Sequence, residues 1–283
     1  MPKVIARSFF VSLFALLSSQ MTLAQQRPLI TEDVEVVKPG SVRIEFGFDF
    51  AQRKRFPVSG LQGDLSRLGV ASMTFGLAPN VEVEVGGVIH NALAISRRGA
   101  SAIPLDLKNL NSTSDVGDFF IATKIKVRNE TNYVPAIGLR FGVSLPNSNQ
   151  ARGIGLNQTN FFMTALASKT VGKFRVSGNL GLAILTAPTQ LFSQNDVMLY
   201  GLSAVYPLNE RVSLLGEING RLNTRKTVPL GTESDSEARF GARFKASGLL
   251  WDVSALTGFN KNSIKSGVSF GLTYEGQLFT PAK

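Results

Sequence analysis

His90 is the only histidine of the 283-residue sequence, and two small groups of acids are the other residues whose types catalysis or metal binding would call on. A serine hydrolase needs a base within hydrogen-bond reach of its nucleophile. His90 has Asn91 beside it and no serine two residues away, so the local spacing makes no catalytic pair. Asp115 with Asp118, and Glu233 with Asp235 and Glu237, bring carboxylates together, yet neither set follows the spacing of a calcium loop. The absence of cysteine excludes disulfides, thiolate metal sites and lipid attachment through an N-terminal cysteine. No catalytic, metal-binding or cofactor-binding set emerges, and none is expected.

The charges that do show a pattern alternate with apolar residues. Glu237, Arg239, Arg243 and Lys245 interleave with Ala238, Phe240, Ala242 and Phe244. On an extended chain, successive side chains point to opposite faces, so the first set lines one face and the second set the other. The stretch 174–186 repeats the grammar, with Val176, Leu180, Leu182 and Ile184 opposed by Arg175, Ser177 and Asn179. Around 41–50, Ile44, Phe46, Phe48 and Phe50 oppose Arg43, Glu45 and Asp49.

Twelve segments of this kind are predicted as strands: 41–50, 65–77, 81–96, 118–128, 135–145, 159–169, 174–186, 196–206, 211–223, 237–246, 250–259 and 266–279. The second changes apolar phase between Val70 and Ala71, the mark of a bulge. The sixth and eighth have no clear phase. Short links such as Ala78-Pro79-Asn80 alternate with longer ones at 51–64, 97–117, 146–158, 187–195 and 224–236. An even strand number, with short turns at one end and longer loops at the other, is the signature of an outer-membrane barrel. The predicted fold is therefore all-β: a closed antiparallel transmembrane β-barrel of about 12 strands, spanning residues 41–283. Only closure leaves no backbone donor or acceptor unpaired in hydrocarbon.

The N-terminus agrees with that destination. Lys3 and Arg7 precede an apolar core from Phe9 to Leu17, and Thr22-Leu23-Ala24 has the small-residue form of a cleavage site. Residues 1–24 are read as a removed signal peptide. Residues 25–40, with two prolines and clustered charges, are a periplasmic lead-in or a segment that plugs the lumen. The formal charge of +10 raises nucleic acid as a partner, but no helix-turn-helix, zinc or RNA-binding signature accompanies it. Anionic lipid head groups account for the excess more economically. Arg53, Lys54, Arg55, Arg97, Arg98, Arg225 and Lys226 are expected at the outer rim, facing lipopolysaccharide phosphates.

The phased strands place Arg43, Glu45, Glu82, Glu84, His90, Lys124, Lys126, Arg140, Arg175, Glu217, Arg221, Arg239, Arg243 and Lys245 on the inward face. Arg128 and Arg211 join them on the same parity, as do Asp118, Asp252 and Glu275. Two consequences are open. The charges line a polar pathway that slightly favours anions, or they pair across a narrow lumen and hold it shut, since unpaired charge in a confined interior is costly. Twelve strands lie between filled eight-stranded barrels and open sixteen-stranded porins, so size does not decide.

Arg27-Pro28-Leu29-Ile30-Thr31-Glu32-Asp33, Pro57-Val58-Ser59-Gly60-Leu61, Ser114-Asp115-Val116-Gly117-Asp118, Leu145-Pro146-Asn147 and Gly231-Thr232-Glu233-Ser234 resemble segments of one bacterial outer-membrane family. It is the meta-pathway phenol-degradation family, whose members are often called transporters. The resemblance implies a barrel and passage of small organic molecules, aromatic ones among them; it carries no binding residue onto a numbered position. The expected function is passage of small aromatic or anionic solutes. A structural or assembly barrel without transport, and an outer-membrane lipid hydrolase, are the alternatives. The expected partners are outer-membrane lipid and lipopolysaccharide, a small-molecule solute and the barrel-assembly machinery.

Overall fold

Strand alternation closes on itself in the computed structural model, which describes residues 27–107, 110–190 and 193–280. The signal-peptide reading at 1–24 lies outside the described residues. Twelve long strands make the wall: β1 (Ser41–Phe56), β2 (Leu61–Ala78), β3 (Val81–Arg98), β5 (Phe120–Arg128), β6 (Ala136–Ser144), β7 (Asn160–Val171), β8 (Phe174–Thr186), β9 (Gln194–Pro207), β10 (Val212–Leu222), β11 (Asp235–Ala246), β12 (Leu249–Gly258) and β13 (Ser266–Gln277). A short β4 (Ser112–Asp115) sits within the longest connection and pairs only with Asn91–Ala94 of β3. Every wall strand is antiparallel to its neighbours, and the β1–β13 and β2–β3 ladders close the ring.

The outward face is apolar. Phe48, Phe50, Val85, Ile121, Phe161, Leu180, Leu182, Leu202, Phe240 and Phe270 are all exposed there. Near the short-turn end Phe174 stacks on Tyr206 with ring centroids 4.8 Å apart, and Phe244 lies opposite Trp251. Aromatic residues at that level belong to the interfacial girdle of a membrane barrel.

Two bulges re-aim the first hairpins, and they correct the sequence-based expectations there. Gly69 has φ +70° and no partner between Val70, opposite Gly47, and Leu68, opposite Phe48. Inward parity changes across it in β2, from Thr74 below to Leu65 above, and in β3, from Glu84 to Leu93, while β1 keeps its own from Arg43 to Ala51. A second irregularity falls between Ala51 and Lys54, where Arg53 adopts φ 54°. The predicted polar loop at 51–64 is therefore mostly strand: β1 runs on to Phe56 and β2 begins at Leu61.

Residues 27–40 run inside the ring. At the short-turn end Gly40 N donates to Gly76 O at 2.9 Å, and Leu278 N donates to Gly40 O at 2.8 Å. From there the chain rises through the lumen to Arg27, with Val34 and Val37 fully buried. Val34 packs on Ala136 and Leu166.

Candidate functional site

The internal segment has no sheet partner, so its backbone polar groups must be met by side chains of the wall. The wall supplies them in order. Val37 N donates to Glu82 Oε2 at 2.6 Å, Val34 N to Ser168 Oγ at 3.1 Å, and Glu32 N to Asn179 Oδ1 at 2.7 Å. Ile30 N and Thr31 N both donate to the Glu217 carboxylate, at 2.9 and 2.8 Å, and Arg27 N donates to Glu45 Oε1 at 3.0 Å. The carbonyls are met by cations: Asp33 O by Lys124 Nζ at 3.1 Å, Pro28 O by Arg239 Nη1 at 3.0 Å and Arg27 O by Arg243 Nε at 2.5 Å.

The segment's own charges complete the network. Asp33 accepts two hydrogen bonds from Arg175, at 2.7 and 2.8 Å, and Glu32 lies 3.1 Å from Lys124 and 3.2 Å from Arg140. Glu35 lies 2.9 Å from Lys126. Arg27 donates to Ser269 Oγ and Phe270 O, both at 3.0 Å, with Asp252 at 3.5 Å. Arg27 lies over a glycine pair, Gly47 opposite Gly271, where any Cβ would collide with its guanidinium. Arg43 sits between Glu45 and Glu82, and Arg140 bridges to Glu84 at 2.9 Å.

Of the inward candidates, His90 is placed elsewhere. It is exposed and in register with Leu68, itself opposite the outward Phe48, because the parity change at Gly69 turned this part of β3 over. Among the described residues no hydrogen bond reaches it. Arg211 falls in an exposed turn before β10, Arg128 is exposed past a register shift in β5, and Asp118 precedes β5. Lys54, expected at the rim, turns inward after the Arg53 bulge and meets Asp235 of β11 at 2.5 Å. Arg98 donates to Leu110 O, and Arg225 donates to Asn195 and Gln194.

Above the internal segment a cavity of about 410 Å³ remains. Lys54, Arg67, Arg140 and Arg221 line it together with Glu32, Asp235 and Glu237, while Phe162, Leu199 and Ile264 give it an apolar side. Arg140 stands over the Phe162 ring, 5.0 Å from its centroid. Among the described residues no hydrogen-bond partner reaches Asn219 Nδ2 or Arg67 Nε. The outer mouth is capped by an apolar cluster. Leu105 and Leu107 from the longest connection and Ile154 from the β6–β7 connection pack on Leu61, Leu65, Leu93, Leu256 and Ile264. Beside the cap lies a second cavity of about 170 Å³.

The acids considered for calcium are engaged within the protein. Asp115 and Asp118 accept from the backbone of Asn149 and Ser148, Glu233 from Gly231 N, and Glu237 from Arg239. Residues missed in the sequence reading were Arg67, Phe162, Leu199 and Asp235. The first three lie on strands without a readable phase, whereas Asp235 shares the parity of Glu237 and was legible from it.

A closed sheet with an apolar outer belt, a charged interior and an internal segment places the protein among the outer-membrane β-barrels. More particularly, the chain belongs to the family described as "Putative MetA-pathway of phenol degradation", which matches residues 26–275. Among solved structures, it is similar to an outer membrane channel from Pseudomonas putida. The sequences are 16% identical, the TM-score is 0.62, and the match covers 86% of this chain and 97% of that one. It is also similar to the NanC porin, at 8% identity and TM-score 0.50, over 83% of this chain and 98% of that one. At such identities the likeness concerns the fold. No curated protein matches the sequence.

Proposed function

We propose that this barrel passes small organic solutes across the outer membrane, with anionic and aromatic ones favoured, and that residues 27–40 form the constriction. The observation that supports it most is the 410 Å³ cavity above that segment, which combines four basic side chains with an apolar side at Phe162 and Leu199. A barrel serving only as structure would be expected to fill that space with packed side chains, as small barrels do. The mixed lining suits a compact solute with one apolar face and one charged or hydroxylated group. The resemblance to a phenol-degradation family is consistent with that chemistry. Catalysis is not part of this reading, because among the described residues no hydrogen bond reaches His90 to make a nucleophile–base pair.

Lipopolysaccharide remains a proposed partner of the rim, through exposed Arg53 and Arg97 rather than through Lys54. The barrel-assembly machinery is the proposed partner during insertion. Planar-bilayer recording of the refolded mature protein tests the main reading. Stepwise conductance, together with uptake of benzoate or phenol into protein-loaded liposomes, is the expected result. A silent bilayer with no solute uptake would refute it.

A further inference from the structure

The two cavities share three lining residues, Lys54, Arg221 and Asp235. Arg221 of β10 and Asp235 of β11 are cross-strand partners, and Lys54 reaches Asp235 from β1, three strands away around the ring. The Arg221 guanidinium is held in place by the backbone carbonyls of Glu233, at 2.8 Å, and Gly231, at 3.5 Å. Outward of the trio the smaller cavity is largely apolar, with Phe56, Val58, Ile103, Ile154 and Leu156 on its walls. Inward of it lies the polar cavity. There Asn219 is 7% exposed and, among the described residues, its Nδ2 meets no hydrogen-bond partner, so a built donor faces the cavity.

We propose that Lys54 and Arg221 form a carboxylate-binding station between the two cavities. Asp235 occupies it in the resting barrel, and the carboxylate of a small solute with an apolar body takes its place during passage. The outer cavity receives the apolar body. Lys54 then exchanges one carboxylate for another and is itself never left bare, while the displaced Asp235 stays opposite Arg221, its cross-strand partner. Beyond the station, Asn219 and Arg67 offer the next donors. The reverse assignment, a station for cations held by Asp235, fits less well. Two basic side chains flank Asp235, the nearby Glu233 carboxylate is already engaged by Gly231 N, and the group beyond that meets no partner among the described residues is a donor.

This inference rests on the reading of the barrel as a solute pathway, and its test separates the two. Benzoate, benzyl alcohol and benzylammonium are titrated calorimetrically into the refolded full-length mature protein in detergent, with liposome uptake measured in parallel. Benzoate is expected to bind about tenfold more tightly than the other two, the share of one charge-assisted hydrogen bond. Lys54→Met is expected to remove that advantage and leave benzyl alcohol unchanged. Asp235→Asn, which removes the resident competitor, is expected to tighten benzoate several-fold. A purely structural ion pair predicts that both variants move benzoate binding in the same direction, and that outcome overturns the proposal, as does equal binding of the three probes. If Lys54→Met fails the heat-shift test for a folded barrel, the Asp235→Asn result alone decides by its sign. Uptake without the benzoate pattern sinks the station and spares the channel; the pattern without uptake does the opposite.

Discussion

Arg175 of β8 grips Asp33 of the internal segment through two hydrogen bonds, Nε to Oδ2 at 2.7 Å and Nη2 to Oδ1 at 2.8 Å. Ser177 Oγ adds a third at 3.1 Å, and the far side of the same guanidinium holds Glu130 at 2.5 Å. The pair therefore ties the segment to the short-turn rim. Removing one member of a shielded pair strands the other, at a cost of about 3–5 kcal/mol for full burial and less where a neighbour such as Glu130 remains. Arg175→Gln is expected to loosen the segment without unfolding the wall. In planar bilayers it should show larger and more frequent conductance steps than the unmodified protein. Unchanged step size and frequency would show that Arg175 does not restrain the segment.

Gly76 marks where the segment leaves the rim. A Cβ there would collide with Lys38 O and come within 2.5 Å of Val37 O, and both are backbone atoms that cannot swing aside. Gly76→Ala is therefore expected to push the 37–40 bend off β2 and expose the segment to protease from the short-turn side. The wall should keep its heat-dependent gel shift. Limited proteolysis followed by N-terminal sequencing reads the outcome; resistance equal to the parent would show that the bend accommodates the methyl.

The barrel itself was legible because its strands obey a two-residue period that survives without any partner in view. Arg43, Glu45, Lys124, Arg239 and Arg243 could be placed on one face from alternation alone. The bulges were not legible in the same way. Gly69 gave a visible phase break, but Arg53 takes its left-handed φ inside a run of basic residues that reads as loop, and so Lys54 was misplaced. His90 was lost to the same parity change. Choosing between charges that line a path and charges that close it needs three dimensions, because most of those charges are satisfied by residues 27–37. Notably, the segments that resemble the family lie on the internal segment and at the outer mouth, where Ser59 Oγ donates to Gly153 O at 2.6 Å.

Glu130, in the turn between β5 and β6, accepts from Lys169 Nζ at 2.7 Å and from Thr170 N at 2.8 Å. The bond from Lys169, with help from Thr170 and Arg175, holds its carboxyl down at about 2. An unfolded glutamate titrates near about 4.3, so the folded form favours the carboxylate and this contribution is fully present above that value. It is lost as pH falls from about 4.3 through about 2. Glu130→Gln should therefore lower the heat-shift temperature at neutral pH, with the gap to the parent closing across that acid window. A gap that stayed constant down to pH about 2 would contradict this linkage.

Ion preference should be set in the upper cavity and not by the basic ladder on β11. Arg239 is engaged by Pro28 O, Glu237 and Glu217, and Arg243 by Arg27 O, so these cations hold the internal segment. Their joint replacement, Arg239→Gln with Arg243→Gln and Lys245→Gln, is expected to raise conductance by freeing the segment, with little change in selectivity per unit of current. The upper cavity has Lys54, Arg67, Arg140 and Arg221 against Glu32, Asp235 and Glu237. Such a lining, within low-dielectric walls, favours anions modestly. Arg67 is the informative position: its Nη2 pairs with Asp49 at 2.9 Å, but Asp49 also accepts from Ser269 at 2.7 Å and so keeps a partner when Arg67 is removed. Arg67→Gln should lower the anion-to-cation permeability ratio about twofold while leaving step size near that of the parent. Reversal potentials across a potassium chloride gradient measure both variants. A cation-selective parent, or a triple β11 variant that shifts the reversal potential more than Arg67→Gln does, would return selectivity to the ladder and take the internal segment out of its grip.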